Sequence, residues 1–226
     1  MPARRLLFLA LLLACMPALA QLRWQQGVDY QLLPGGQRAG SPADKIEVAE
    51  VFSYGCPYCY KAKDPIAKLA ATLPADAVMT YVHASFQPAE DWPMLQRAYY
   101  TAKKLGIAAA SHEAMFDAIW KTGEIPLVDT ATGQLRRPLP TIEAAAKFYA
   151  RVGKVTVTDF VNASNSPQVD AAIQRAEELI KLWHIPGTPS LVVNGRYLVS
   201  NDLPFAEQAQ IVQYLIGLER ARLKQK

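Results

Sequence analysis

Residues 52–59, Phe-Ser-Tyr-Gly-Cys-Pro-Tyr-Cys, constrain the chain more than any other stretch. Cys56 and Cys59 are separated by only Pro57 and Tyr58. Ahead of them, Ile46-Glu47-Val48-Ala49-Glu50-Val51-Phe52 reads as a strand, and Ser53 and Gly55 mark its end. Behind them, apolar spacing predicts a helix from Pro57 to about Thr72. Pro57 suits the first helical position, where a missing N–H breaks no bond. The pair therefore sits at a strand-to-helix junction with Cys56 at the N-cap. Free backbone N–H groups and the positive end of the helix dipole favour a thiolate there. Cys59, one turn further in, is expected to be more buried and less acidic. Pro65 lies inside the same stretch and is expected to kink or split the helix.

The chemistry open to such a pair is narrow. The third cysteine, Cys15, falls in an apolar leader. A structural zinc site needs a second Cys-x-x-Cys or a His pair, and His83, His112 and His184 are scattered. A two-residue insert closes too short a loop for a stabilising staple. A redox centre is the reading that fits: an exposed Cys56 exchanges with substrate, and Cys59 resolves the mixed disulfide. A second constellation, His184-Ile-Pro-Gly-Thr188-Pro189-Ser-Leu-Val-Val-Asn194-Gly195, places a proline just before a strand. Proline cannot donate to a strand ladder. Beside a Cys-x-x-Cys at a helix start, Thr188-Pro189 reads as a cis peptide.

The remaining elements follow from periodicity. Tyr30–Leu33, Val78–Ala84, Ser190–Val193 and Arg196–Leu198 read as strands, the last two joined by an Asn194-Gly195 hairpin turn. Helical spacing covers Trp92–Leu105, Ala108–Trp120, Thr141–Arg151, Val157–Ala163, Gln168–Trp183 and Ala206–Arg222. Strands at both ends with helices between them give an α/β sheet domain interrupted by a helical domain. The divisions expected are 21–89 and 185–226 for the sheet domain and 90–184 for the helical insertion.

Two basic residues, Arg4 and Arg5, precede an apolar run, Leu6–Ala14, and a small-x-small site at Ala18-Leu19-Ala20. Residues 1–20 read as a signal peptide cleaved after Ala20. The rival reading is a lipobox, Leu12-Leu13-Ala14-Cys15, which would anchor the protein through a lipidated Cys15. Either way the mature protein works in an oxidising compartment. The formal net charge of +4 falls to +2 without Arg4 and Arg5, and no basic run carries interleaved aromatics, so nucleic acid is not an implied partner. At 226 residues and 51% apolar, the chain can bury a substantial core.

Glu50-x-Phe52-Ser53-Tyr54-x-Cys56-Pro57-Tyr58-Cys59-Tyr60, then Met79-Thr80, His83 and Phe86, then Gly187-Thr188-Pro189-Ser190-Leu191-x-Val193-Asn194-Gly195-x-Tyr197 resemble the bacterial periplasmic thiol:disulfide interchange protein (DsbA) family. The resemblance runs from about Gly27 to the C-terminus. The redox motif alone would indicate only the thioredoxin superfamily. The hairpin after Thr188-Pro189 and the long helical region make the closer match. The resemblance implies an α/β thioredoxin fold with an inserted helical domain and cis-Pro189 against the disulfide. It implies a periplasmic disulfide oxidase, acting as a monomer on unfolded or reduced secreted proteins without a diffusible cofactor. It also implies reoxidation by a DsbB-like, quinone-linked membrane oxidase. Cys56, Cys59, Pro189 and Glu50 are then the catalytic candidates, and Pro57, Tyr58, Thr188 and Pro189 the substrate-binding ones.

Two positions depart from the family's pattern. Its best-known members carry His where Tyr58 stands; a neutral phenol stabilises a neighbouring thiolate less, so a weaker oxidant is expected. Well-studied members also carry a buried Lys opposite the acid equivalent to Glu50, and Tyr81 aligns there. Glu50 is then a lone buried acid with a raised pKa, able to shuttle the Cys59 proton; the alternative is a partly solvated strand-end residue. Tyr58 and Thr188 keep a glutathione-linked reductase or isomerase open, and a thiophilic metal module is the non-enzyme rival. Tyr54 and Tyr58 read equally as site lining or packing, while His83 reads as structural and His184 as a helix-end partner. Trp92, Trp120 and Trp183 read as core residues or spacers between the domains, and Met94 and Met115 as core residues.

Overall fold

The computed structural model describes residues 24–225. The expectations for the leader, including Cys15 and cleavage after Ala20, lie outside the described residues. The elements run β1 (Tyr30–Leu32), β2 (Ile46–Phe52), α1 (Pro57–Ala71), β3 (Ala77–His83), a 3₁₀ turn (Pro88–Glu90), α2 (Trp92–Lys104), α3 (Ala108–Trp120), α4 (Ile142–Val152), α5 (Val157–Ser164), α6 (Pro167–Leu182), β4 (Ser190–Val193), β5 (Tyr197–Val199) and α7 (Phe205–Leu223). Apart from the 3₁₀ turn, this is the order of elements expected from periodicity, with ends shifted by a residue or so.

The strands form one five-stranded sheet in the order β1-β5-β4-β2-β3. β2 lies second from one edge, parallel to β3 and antiparallel to β4. It is buried along its whole length, its two glutamates included. The β4–β5 hairpin turns at Asn194 and Gly195, whose φ values of 51° and 63° are those that an Asn-Gly turn supplies.

Alternation along the strands divides the interior in two. Ile46, Val48, Leu191, Val193, Tyr197 and Val199 share one core with Ile66 and Leu69 of α1 and Ile211, Val212, Leu215 and Ile216 of α7. Ala49, Val51, Val192 and Leu198 join a larger core with the helices between β3 and β4, which contribute Leu95, Met115, Phe148 and Trp183. Met94 is half-buried against the same core. The Trp183 indole donates to the Gln37 carbonyl at 2.9 Å, tying α6 to the segment before β2.

The expected split at Pro65 does not occur: α1 is one element of 15 residues with Pro65 inside it. Pro65 and Lys61, whose carbonyl loses its partner, both lie on the exposed side. Water can replace the missing N–H there, while Cys59, Ile66 and Leu69 hold both halves of the helix in the interior.

Candidate active site

Cys56 is the N-cap of α1, with extended backbone (φ −88°, ψ 119°) and Pro57 following it. Its N–H donates to Ser53 O at 3.1 Å, and its carbonyl accepts from Tyr60 N at 3.1 Å, opening the helix. Both cysteines are free thiols. The expected exposure of Cys56 is corrected: its accessibility is 3%, against 0% for Cys59. The Thr188-Pro189 segment accounts for part of this cover, since the Cys56 thiol donates to the Thr188 carbonyl at 3.3 Å. The Thr188-Pro189 bond is cis. Behind it, Ser190 Oγ donates to Gly187 O and accepts from Asn201 Nδ2, each at 2.8 Å, which braces the segment at the start of β4.

The two thiols are driven apart in acidity. A hydrogen bond from the Cys59 thiol lowers the Cys56 pKa to about 6, against the opposing effect of burial. The Thr188 side chain and the amides of Cys59 and Tyr58 add to the lowering. Burial, then the bond given to Cys56, holds Cys59 well above the ordinary thiol value. Glu50 is 2% exposed and its Oε2 has no hydrogen-bond partner. Burial, then the negative charge of Cys56, raises its pKa to about 8. The partly solvated alternative for Glu50 is thereby excluded. Tyr81 is its direct neighbour across the β2–β3 ladder, the position opposite Glu50 that the family pattern implies. Burial, then the nearby Glu50, pushes the Tyr81 phenol up to about 12.

Tyr54 and Tyr58 part ways. Tyr58 is 67% exposed, with Lys61 Nζ 5.7 Å from its ring centre. Tyr54 is fully buried. His83 is also buried, and desolvation lowers its pKa to about 3, so the ring is neutral. Its Nε2 accepts from Tyr54 N at 3.2 Å. His184 is exposed, with φ 50° at the end of α6. Gly55 is required by packing, because a Cβ there would lie 2.6 Å from the Trp92 indole nitrogen. His112 and Trp120, far along the chain, also reach Tyr54. Neither is legible in the sequence as part of the site; the Gly next to Cys56 is the one local sign that a bulky neighbour crowds this turn. Among the described residues, no group of three or more His, Cys, Asp or Glu side chains is placed to hold a metal ion.

A dithiol at the start of a helix, packed on a mixed sheet beside a cis-proline, defines a thioredoxin-fold dithiol–disulfide oxidoreductase. The model of the DSBA-like thioredoxin domain family matches residues 47–212. Thiol:disulfide interchange protein DsbA of Azotobacter vinelandii is 33% identical over 199 residues, covering 86% of this chain and 84% of that protein. Its counterpart in Pseudomonas aeruginosa is 31% identical over 202 residues, covering 88% and 87%. The crystal structure of oxidoreductase DsbA from Xylella fastidiosa is similar with a TM-score of 0.77 at 35% identity, over 88% of this chain and 98% of that one. The chain belongs to the DsbA-like thioredoxin-domain family and is a thiol:disulfide oxidoreductase.

Proposed function

We propose that this protein is a periplasmic disulfide oxidase that passes its Cys56–Cys59 disulfide to reduced, unfolded secreted proteins. The divided acidity of the pair carries this reading. A Cys56 pKa near 6 makes its sulfur a good leaving group and stabilises the reduced protein, which is what makes a dithiol protein an oxidant. Residues 1–20 support export, with release after Ala20 or tethering through Cys15 as the two routes. The protein acts as a monomer, and a DsbB-like, quinone-linked membrane oxidase restores the disulfide.

A substrate thiolate attacks Cys56 Sγ of the disulfide. A mixed disulfide forms, and the Cys59 sulfur leaves with an electron pair and takes a proton from Glu50. A second substrate thiolate attacks the substrate sulfur of that bond, and Cys56 leaves as a thiolate. The substrate loses two electrons, and the protein ends as a dithiol. During reoxidation Glu50, once it has released its own proton to solvent, takes the proton from Cys59. The exposed Pro57 and Tyr58 and the half-buried Thr188 and Pro189 form the docking rim for the substrate chain. The Tyr58 phenol supports a weaker oxidant than a His at that position.

The disulfide form should oxidise a reduced, unfolded two-cysteine protein, and Cys56→Ser should abolish this; an unchanged rate removes Cys56 as the attacked sulfur. The equilibrium with glutathione separates the rivals. A constant lying toward the reduced protein supports the oxidase, whereas a value near or below that of glutathione supports the reductase. The constant should rise about tenfold per pH unit above pH 6, because the reduced protein then holds one proton fewer than two glutathione thiols, and flatten below it.

A further inference from the structure

Trp120 ends α3, a helix outside the sheet, yet its indole meets the redox turn on both sides of the cysteines. Nε1 donates to the Tyr54 carbonyl at 2.8 Å, two residues before Cys56. The same ring system stacks on Tyr60, the residue after Cys59, at 5.9 Å between centroids and 16° between planes. The Tyr54 residue is held at two further points, by His83 Nε2 on its N–H at 3.2 Å and by His112 Nδ1 at its hydroxyl, 3.1 Å away. His83 is itself fixed, its carbonyl accepting from Gln96 Nε2 at 2.7 Å. The Trp120 indole thus touches both the chain entering the turn and the helix leaving it.

We propose that Trp120 is a positioning residue of the redox turn: its indole locks Tyr54 to Tyr60 and so keeps Cys56 Sγ facing the amides of the first turn of α1. This rests on the reading of Cys56 as the acidic thiol. The amides of Tyr58 and Cys59 reach Cys56 only while the N-cap keeps its extended backbone. A Tyr54 carbonyl without its donor is free to rotate the peptide that leads into Gly55, and an unstacked Tyr60 loosens the helix start. Both changes weaken the hydrogen bonds to the thiolate. The reduced form is then less favoured, and the protein becomes a weaker oxidant.

The test is Trp120→Phe and, separately, Trp120→Tyr, each of which keeps an aromatic ring and removes the indole N–H. Thiolate absorbance is titrated in the reduced protein, and the equilibrium with glutathione is measured. Both variants should move the Cys56 midpoint upward and shift the glutathione equilibrium away from the reduced protein by about threefold to tenfold. Trp183→Phe is the control, since it removes an indole-to-carbonyl bond of the same kind from the interior, remote in sequence from the turn. It should lower thermal stability and leave both redox readings unchanged. Midpoints and equilibria of folded Trp120 variants that match the wild type overturn the proposal, as does an equal redox shift in Trp183→Phe. A wild-type protein with no thiol titrating near pH 6 overturns the assignment of Cys56 itself.

Discussion

Glu47 and Glu50 stand three residues apart on β2 and are both sealed from water, at 0% and 2% exposure. Their surroundings differ completely. Both carboxylate oxygens of Glu47 are used: Oε1 accepts from Ala39 N at 2.7 Å and Oε2 from Ser41 N at 2.9 Å. Glu47 thus pins the segment before β2 to the sheet. Glu50 points to the opposite face, toward Tyr81 and the cysteines, and its Oε2 is left without a partner. A buried carboxylate that accepts amide hydrogens is a structural joint. One denied them holds its proton to about pH 8 and is able to exchange it with a neighbour. One strand carries both because odd and even positions face different environments.

Removing the proton carrier should have the largest effect. Glu50→Gln should slow formation of the mixed disulfide by up to about 10²-fold, read by rapid mixing of the disulfide form with a thiol substrate. It should also change stability. The reduced folded chain keeps the Glu50 proton to about pH 8, whereas the unfolded chain releases it near the ordinary value of ~4.3. Wild-type stability therefore falls as pH rises through that window, and Glu50→Gln should gain on the wild type from pH 5 to pH 8 in thermal melts. A variant that tracks the wild type across those pH values breaks the contrast between the two glutamates.

Glu47→Leu should act on stability alone. It strands the two amides and should lower unfolding free energy by about 2–3 kcal/mol in urea titration, with the glutathione equilibrium unmoved. The smallest effect is expected from Tyr81→Lys, which gives Glu50 a partner across the ladder. An ammonium there should pull the Glu50 titration down by about one pH unit and narrow the window over which stability falls. Melts of the reduced variant against pH measure it.

Much of this site is legible in the residues themselves. Pro57 after Cys56 announces its geometry through local backbone chemistry, whereas Thr188-Pro189, alone an ordinary trans proline at a strand start, reads as cis only in company with the Cys-x-x-Cys. Glu50 and Tyr81 follow from resemblance to a family pattern, and the ladder pairs them. Glu47 gives no warning, because a glutamate in a strand does not say which amides will reach it from Ala39 and Ser41. The burial of Cys56 escapes a local reading for a similar reason: the segment near it lies 132 residues further on. Pro65 misleads in the other direction, since the rule against internal proline weighs a helix alone, and α1 is held by its packing.

By itself the sequence determined the order of strands and helices, the place of the dithiol at a helix start, and the class of chemistry. These depend on hydrophobic period and on groups within one turn of each other. Tertiary structure decided which buried acid is partnered, how far Cys56 is covered, and which side chains of α3 hold the redox turn. Those depend on distances between residues remote along the chain, where a shift of an ångström separates a hydrogen bond from an unpaired charge.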